Sequence, residues 1–132
     1  MIIDTSAVVA IFRDEPEGPT CLEAIEQAST RLLSAATLLE VSIVVLRKRE
    51  HFTLEDLDRF LADYTIVIEP LTESQARVAR LAYRQYGRGM DHPARLNFGD
   101  CFAYALARER NEPLLFTGDD FTHTDIRPAL AP

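Results

Sequence analysis

Met1-Ile2-Ile3-Asp4-Thr5-Ser6-Ala7-Val8-Val9-Ala10-Ile11 runs from an apolar segment through an acid straight into a second apolar-faced segment. The run Met1–Ile3 reads as a buried parallel strand, because strands covered on both faces show continuous apolar residues rather than alternation. Thr5 or Ser6 can cap the helix that follows, which is expected to run to about Arg13 with Ala7, Val8, Ala10 and Ile11 on its inner face. What the rest of the chain adds to this opening decides the fold.

Outward from there, the same alternation repeats. Pro16 to Pro19 breaks the chain and opens a helix over Thr20–Ala28; Thr30–Ser34 reads as a second strand and Ala35–Arg49 as a strongly apolar helix. Thr53-Leu54-Glu55-Asp56 starts a helix to about Tyr64, with acids in the first turn where the helix end is positive. Thr65–Glu69 is a β-branched strand ended by Pro70, and Thr72 opens a helix that stops at Gly87. Residues 87–97 form a loop, Asn97 caps a helix over Phe98–Arg110, and Leu114–Thr117 is the last clear strand before the turn Gly118-Asp119-Asp120. Short apolar strands alternating with helices imply a parallel sheet with helices on both faces, an α/β sandwich in one domain over residues 1–132.

Composition excludes several classes. With 47% apolar and 27% charged residues the balance is that of an ordinary globular chain. No apolar run is long enough to span a bilayer, and the opening lacks the basic leader of a signal peptide, so a cytoplasmic location and no membrane association are expected. Cys21 and Cys101 stand far apart with no metal-ligand spacing, as expected of buried thiols in a reducing compartment. The formal charge of −7 argues against a general nucleic-acid coat protein. The excess acid, however, lies entirely within residues 1–70, and Arg77, Arg80, Arg84, Arg88 and Arg95 outnumber Glu73 and Asp91 in the stretch 71–99.

In parallel α/β sheets the binding crevice lies beyond the carboxyl ends of the strands. Asp4, Glu40, Asp100 and Asp119 fall just after strands or in the early turns of the helices that follow them. Each has a structural explanation on its own. Asp4 can cap its helix, Asp100 sits three residues after Asn97 in a capping-box position, and Asp119 lies in a glycine-containing turn where aspartate is common. Glu40 interrupts a mostly apolar face formed by Ala36, Thr37, Ile43 and Val44, and a buried carboxylate needs a cation, a proton or donors. Together at one sheet edge, such acids repel unless cations lie between them. A cluster without histidine or thiolate suits Mg2+ or Mn2+, and those ions suit phosphoryl chemistry.

These residues also carry a family resemblance. The opening Met1-Ile2-Ile3-Asp4-Thr5-Ser6-Ala7, Leu39-Glu40-Val41 after Ser34-Ala35, Asn97-Phe98-Gly99-Asp100-Cys101-Phe102-Ala103-Tyr104 and Leu114-Leu115-Phe116-Thr117-Gly118-Asp119-Asp120-Phe121 resemble, in order, the motifs of PIN-domain ribonucleases, particularly VapC toxins of bacterial toxin–antitoxin pairs. The resemblance implies a three-layer α/β/α sandwich, metal-dependent endonucleolytic cleavage of RNA, and an inhibitory antitoxin; a homodimer and a toxin–antitoxin hetero-oligomer are expected with it. One departure concerns the fourth acid. The family often has a residue more between that acid and the Asp-Phe pair; counting from Thr117 selects Asp119, while counting back from Phe121 leaves Asp120 open. Asp119 is the choice made from sequence.

Thr5 and Ser6 could hold a scissile phosphate through hydroxyl and helix-end amide groups, or could simply cap. Arg77, Arg80, Arg84 and Arg88 share one helical face, either solvated or, through Arg80 and Arg84 above all, a track for RNA phosphates. Two other functions compete. A haloacid-dehalogenase-type phosphatase also opens on a strand-end aspartate, but it needs a second aspartate where this chain has Ser6, and a later lysine where Lys48 is the only one. A PIN-like binding module without chemistry is the non-enzymatic alternative, against which the retention of all four acids speaks.

Overall fold

A computed structural model describes residues 1–47 and 51–131. The strands are β1 (Ile2–Ile3), β2 (Leu32–Ser34), β3 (Val67–Glu69) and β4 (Leu114–Leu115). The helices are α1 (Thr5–Phe12), α2 (Gly18–Gln27), α3 (Ala35–Arg47), α4 (Leu54–Asp63), α5 (Glu73–Tyr86) and α6 (Phe98–Arg110). The sheet runs β3-β2-β1-β4 with every pairing parallel, so all four strands deliver their carboxyl ends to the same edge.

Strand alternation builds the layers. Successive strand residues face opposite sides of a sheet, and β1, β2 and β4 each send one apolar residue into either core. Ile2 and Leu114 enter a core with Ala79, Ala82 and Tyr86 of α5 and Ala103, Tyr104 and Leu106 of α6. Ile3, Leu33 and Leu115 enter the other core, with Val8 of α1, Ile25 of α2, Val41 of α3 and Leu57 of α4. The sheet is therefore the middle layer of an α/β/α sandwich, as expected from sequence.

The differences lie at element ends, and each has a local cause. β3 begins at Val67 because Thr65 adopts a left-handed φ of 52° to close α4, where its amide reaches the Ala62 carbonyl and the Ile66 amide reaches that of Leu61. β4 stops at Leu115 because the Thr117 amide leaves the ladder and bonds to the Ser6 hydroxyl at 3.0 Å. α2 starts earlier than read, at Gly18-Pro19, where a Cβ on Gly18 would meet the Ala10 carbonyl oxygen at 2.7 Å. α3 is described to Arg47; its expected end at Arg49 and the residue Lys48 lie outside the described residues.

Candidate active site

Asp4 leaves β1 as the N-cap of α1, with extended φ and ψ, so a two-residue strand is enough to aim its carboxylate at the carboxyl edge of the sheet. One oxygen is well served: Oδ2 accepts from the Ser6 amide at 3.0 Å and from the Ser6 hydroxyl at 2.6 Å. The Asp4 amide is itself fixed, bonding the Leu115 carbonyl at 2.9 Å. The other oxygen, Oδ1, is buried with no hydrogen-bond partner. Burial pushes the carboxyl up from 3.8 to about 6; the Ser6 bonds oppose this and the Glu40 charge adds to it.

Asp100 enters from the other face. It is the third residue of α6, and its carboxylate accepts from the Asn97 amide at 2.9 Å while the Asn97 side chain accepts from the Asp100 amide at 2.9 Å. This reciprocal capping box fixes the rotamer. The residue is only 7% exposed, and burial pushes its carboxyl from 3.8 to about 7. The Asn97 amide works against that shift, whereas the charges of Asp4, Asp120 and Glu40 reinforce it.

Glu40 projects from α3 at the margin of the helix rather than through its core stripe. The buried stripe is Thr37, Val41 and Val45, while Ile43 is 40% exposed, so the apolar face expected around Glu40 is an edge of the helix. Its carboxylate turns to the site, where Oε1 accepts a hydrogen bond from the Thr5 hydroxyl. Asp4, Glu40 and Asp100 are thereby brought into one electrostatic neighbourhood by three different elements.

The fourth position is one of two adjacent aspartates, of which Asp119 is the choice made from sequence. Asp119 and Asp120 are both exposed, in a turn where Gly118 takes a φ of 79°. It is Asp120 whose charge raises Asp100. Asp119 instead lines a separate cavity of about 570 Å³ with Pro16, Glu17, Thr20 and Phe121.

Thr5 and Ser6 are committed to acids: Thr5 to Glu40, and Ser6 to Asp4 while also accepting from Thr117. The Asp4-Thr5-Ser6 spacing carried a signal for the second, since Asp commonly bonds its own backbone two residues on. Ser6 stands where the phosphatase reading needs a nucleophile's partner acid, and it serves as a donor to the first acid instead. Cys101 is buried, its thiol pushed up to about 11 by burial and then by Asp100, and it points at the Asn97 carbonyl; it is no nucleophile. Tyr104 is core, donating to Asp125 at 2.6 Å. On α5, Arg77 pairs with Glu73 at 3.0 Å, and Arg80 and Arg84 are exposed on the side of the helix away from Gln75, Ala79, Ala82 and Tyr86.

The donor set suits a hard divalent cation. It offers carboxylate oxygens only, one of them buried and unpartnered, and burial, with the neighbouring acids, raises the carboxyls of Asp4 and Asp100 above their ordinary value. Among the described residues no three acids, histidines or thiols form a ready-made cage.

The PIN domain family model matches residues 1–126. The chain belongs to the PIN-domain family. Within it, the chain is 50% identical over 130 residues to ribonuclease VapC28 of Mycobacterium tuberculosis, covering 98% of each chain. It is 42% identical over 132 residues to ribonuclease VapC30 of the same species, covering 100% of each. Two solved structures share the fold: M. tuberculosis VapC20, a toxin that cleaves the sarcin–ricin loop, at TM-score 0.67 and 17% identity over 96% of this chain and 98% of that one; and a toxin–antitoxin complex from Klebsiella pneumoniae, at TM-score 0.68 and 18% identity over 94% and 92%.

Proposed function

We propose that this chain, a single PIN domain over residues 1–132, is an endoribonuclease toxin that hydrolyses RNA phosphodiester bonds with Mg2+ or Mn2+ held by Asp4 and Asp100, with Glu40 and Asp120 completing the acidic set. The observation that carries the reading is the pair of buried, charge-frustrated carboxylates at the carboxyl edge of the sheet, one with an unpartnered oxygen. Membership of a family whose relatives are named ribonucleases supports the substrate class. The bound ion would supply neutralisation of phosphate charge and activation of water. The chain's own residues do the rest. Ser6 keeps one oxygen of Asp4 occupied so that the other stays directed at the site, and Asn97 fixes the carboxylate of Asp100. Arg80 and Arg84 offer exposed positive charge for RNA phosphates.

The partners follow the same reading. The silencing protein is an antitoxin that offers a cationic side chain to the acids, since arginine–carboxylate contacts are strong and directional. A homodimer would use the exposed apolar row Leu39, Ile43 and Leu46 on α3, with a larger toxin–antitoxin assembly built on it. The described residues contain no helix long and apolar enough to cross a membrane, and a cytoplasmic place beside RNA fits this function.

RNA cleavage assayed with Mg2+, with Mn2+ and with excess EDTA tests the metal. Cleavage that survives EDTA overturns the ion's role. Asp119→Asn and Asp120→Asn compared side by side test the fourth acid: the second should lose most activity and the first little.

A further inference from the structure

Gly99 lies in the first turn of α6, between Phe98 and Asp100, with an ordinary helical backbone that any residue can adopt. Glycine is a poorer helix former than alanine, so something other than backbone geometry must favour it there. A Cβ built on Gly99 would overlap the Glu40 carboxyl carbon and Oε2 and lie 2.8 Å from Oε1. Its three nearest atoms all belong to that one carboxylate. Gly18 is the contrast within this chain, since a Cβ there would strike the main chain of α1 at Ala10 and Ile11. Gly18 is small so that helices can approach; Gly99 is small so that an acid can.

We infer that Gly99 and Thr5 are positioning residues for Glu40: the bare Cα of Gly99 opens the seat for its carboxylate, and the Thr5 hydroxyl fixes the carboxylate's rotation. The inference rests on the nuclease reading and deepens it, because it explains how an acid on α3, a half-exposed helix margin, is held beside Asp100. The seat is at the amino end of α6, where the helix dipole favours an anion, so the carboxylate is drawn in even though Asp4 and Asp100 repel it. Thr5 supplies the opposing anchor from α1. The three atoms outside its own helix that a methyl group at position 99 would meet first all belong to the acid.

The test uses the full chain and reads stability separately from chemistry. In EDTA, Gly99→Ala should melt at or above the parent temperature, whereas Gly18→Ala should melt below it. RNA cleavage by Gly99→Ala should fall by roughly 10²-fold, the cost of misplacing one group by about an ångström. Adding Gly99→Ala to Glu40→Ala should cost nothing further, because the glycine acts only through that acid. Thr5→Ser should recover cleavage that Thr5→Val loses. Normal cleavage by Gly99→Ala, a melting temperature lowered as in Gly18→Ala, or a further loss in the Glu40→Ala background would each overturn the inference. If Asp4→Asn also cleaves normally, it is the nuclease reading of the site that fails, not the seat alone.

Discussion

Two helices of this protein begin with the same local device and put it to different use. α4 opens with Thr53 and Asp56, α6 with Asn97 and Asp100, and in both the N-cap side chain accepts from the third amide while the third residue's carboxylate accepts from the N-cap amide. The bond lengths differ little: the carboxylate contacts are 2.8 Å at Asp56 and 2.9 Å at Asp100. The surroundings differ completely. Asp56 keeps 38% of its side chain in solvent and lies 3.6 Å from Arg59, a cation. Asp100 is buried among like charges and is pushed up to about 7. A capping box fixes a carboxylate's position; burial and neighbours decide whether the fixed charge is satisfied or left seeking a cation.

The sharpest way to break this contrast is to neutralise each acid in turn. Asn keeps an oxygen for the cap, so Asp56→Asn and Asp100→Asn should both fold. Asp100→Asn should lose RNA cleavage by at least about 10²-fold, the scale of removing one placed charged group, and Asp56→Asn should lose none. Comparable activities in a steady-state cleavage assay would make the two boxes equivalent and remove Asp100 from the site.

Stability against pH gives the next largest effect. Asp4 and Asp100 have folded pKa values raised above 3.8, to about 6 and about 7. Stability from these groups is therefore fully present below about pH 4 and lost as pH climbs through their folded values, because the native state then holds the charges it disfavours. A two-unit rise corresponds to a cost on the order of 3 kcal/mol at Asp4. In EDTA at about pH 8, Asp100→Asn should melt above the parent, with the gap closing near about pH 4. Added Mg2+ should narrow it at high pH by stabilising the parent. Asp56→Asn should show no such crossover. Parallel melting curves across that range would mean that Asp100 carries no uncompensated charge.

The caps themselves give the smallest effect. Thr53→Ala and Asn97→Ala should each cost about 1 kcal/mol in denaturant unfolding. Only Asn97→Ala should also lower cleavage, because it frees the carboxylate of Asp100 from its rotamer. Equal loss of activity in both would return Asn97 to a purely structural cap.

Much of this was legible along the chain because it is local. The apolar run into Asp4, the N-caps at Thr53, Thr72 and Asn97, and the stop at Gly87 are properties of adjacent residues, and helices and strands answer to them directly. The ends of β3 and β4 were less legible. Thr65 takes a left-handed turn against its β-branched preference, and Thr117 trades the ladder for Ser6, a residue far away in sequence. Glu40 was legible as an acid out of place; its apolar surroundings were not, because the helix presents that side at a margin.

What the sequence determined by itself was the order of strands and helices, the α/β/α layering and the family; it also offered four candidate acids, Asp4, Glu40, Asp100 and Asp119, after strands or in the early turns of helices. Their spacing encodes direction, since a strand end and an N-cap each point a carboxylate in a definable way. Only the tertiary structure decided which of these charges stand unpaid by a partner. Asp100 and Asp56 have the same local grammar, Asp119 and Asp120 are neighbours in the chain, and Gly99 has nothing in its own backbone that requires glycine. Electrostatic energy and steric overlap depend on distance through space, and the distances that matter here join α1, α3 and α6 across the end of a four-stranded sheet.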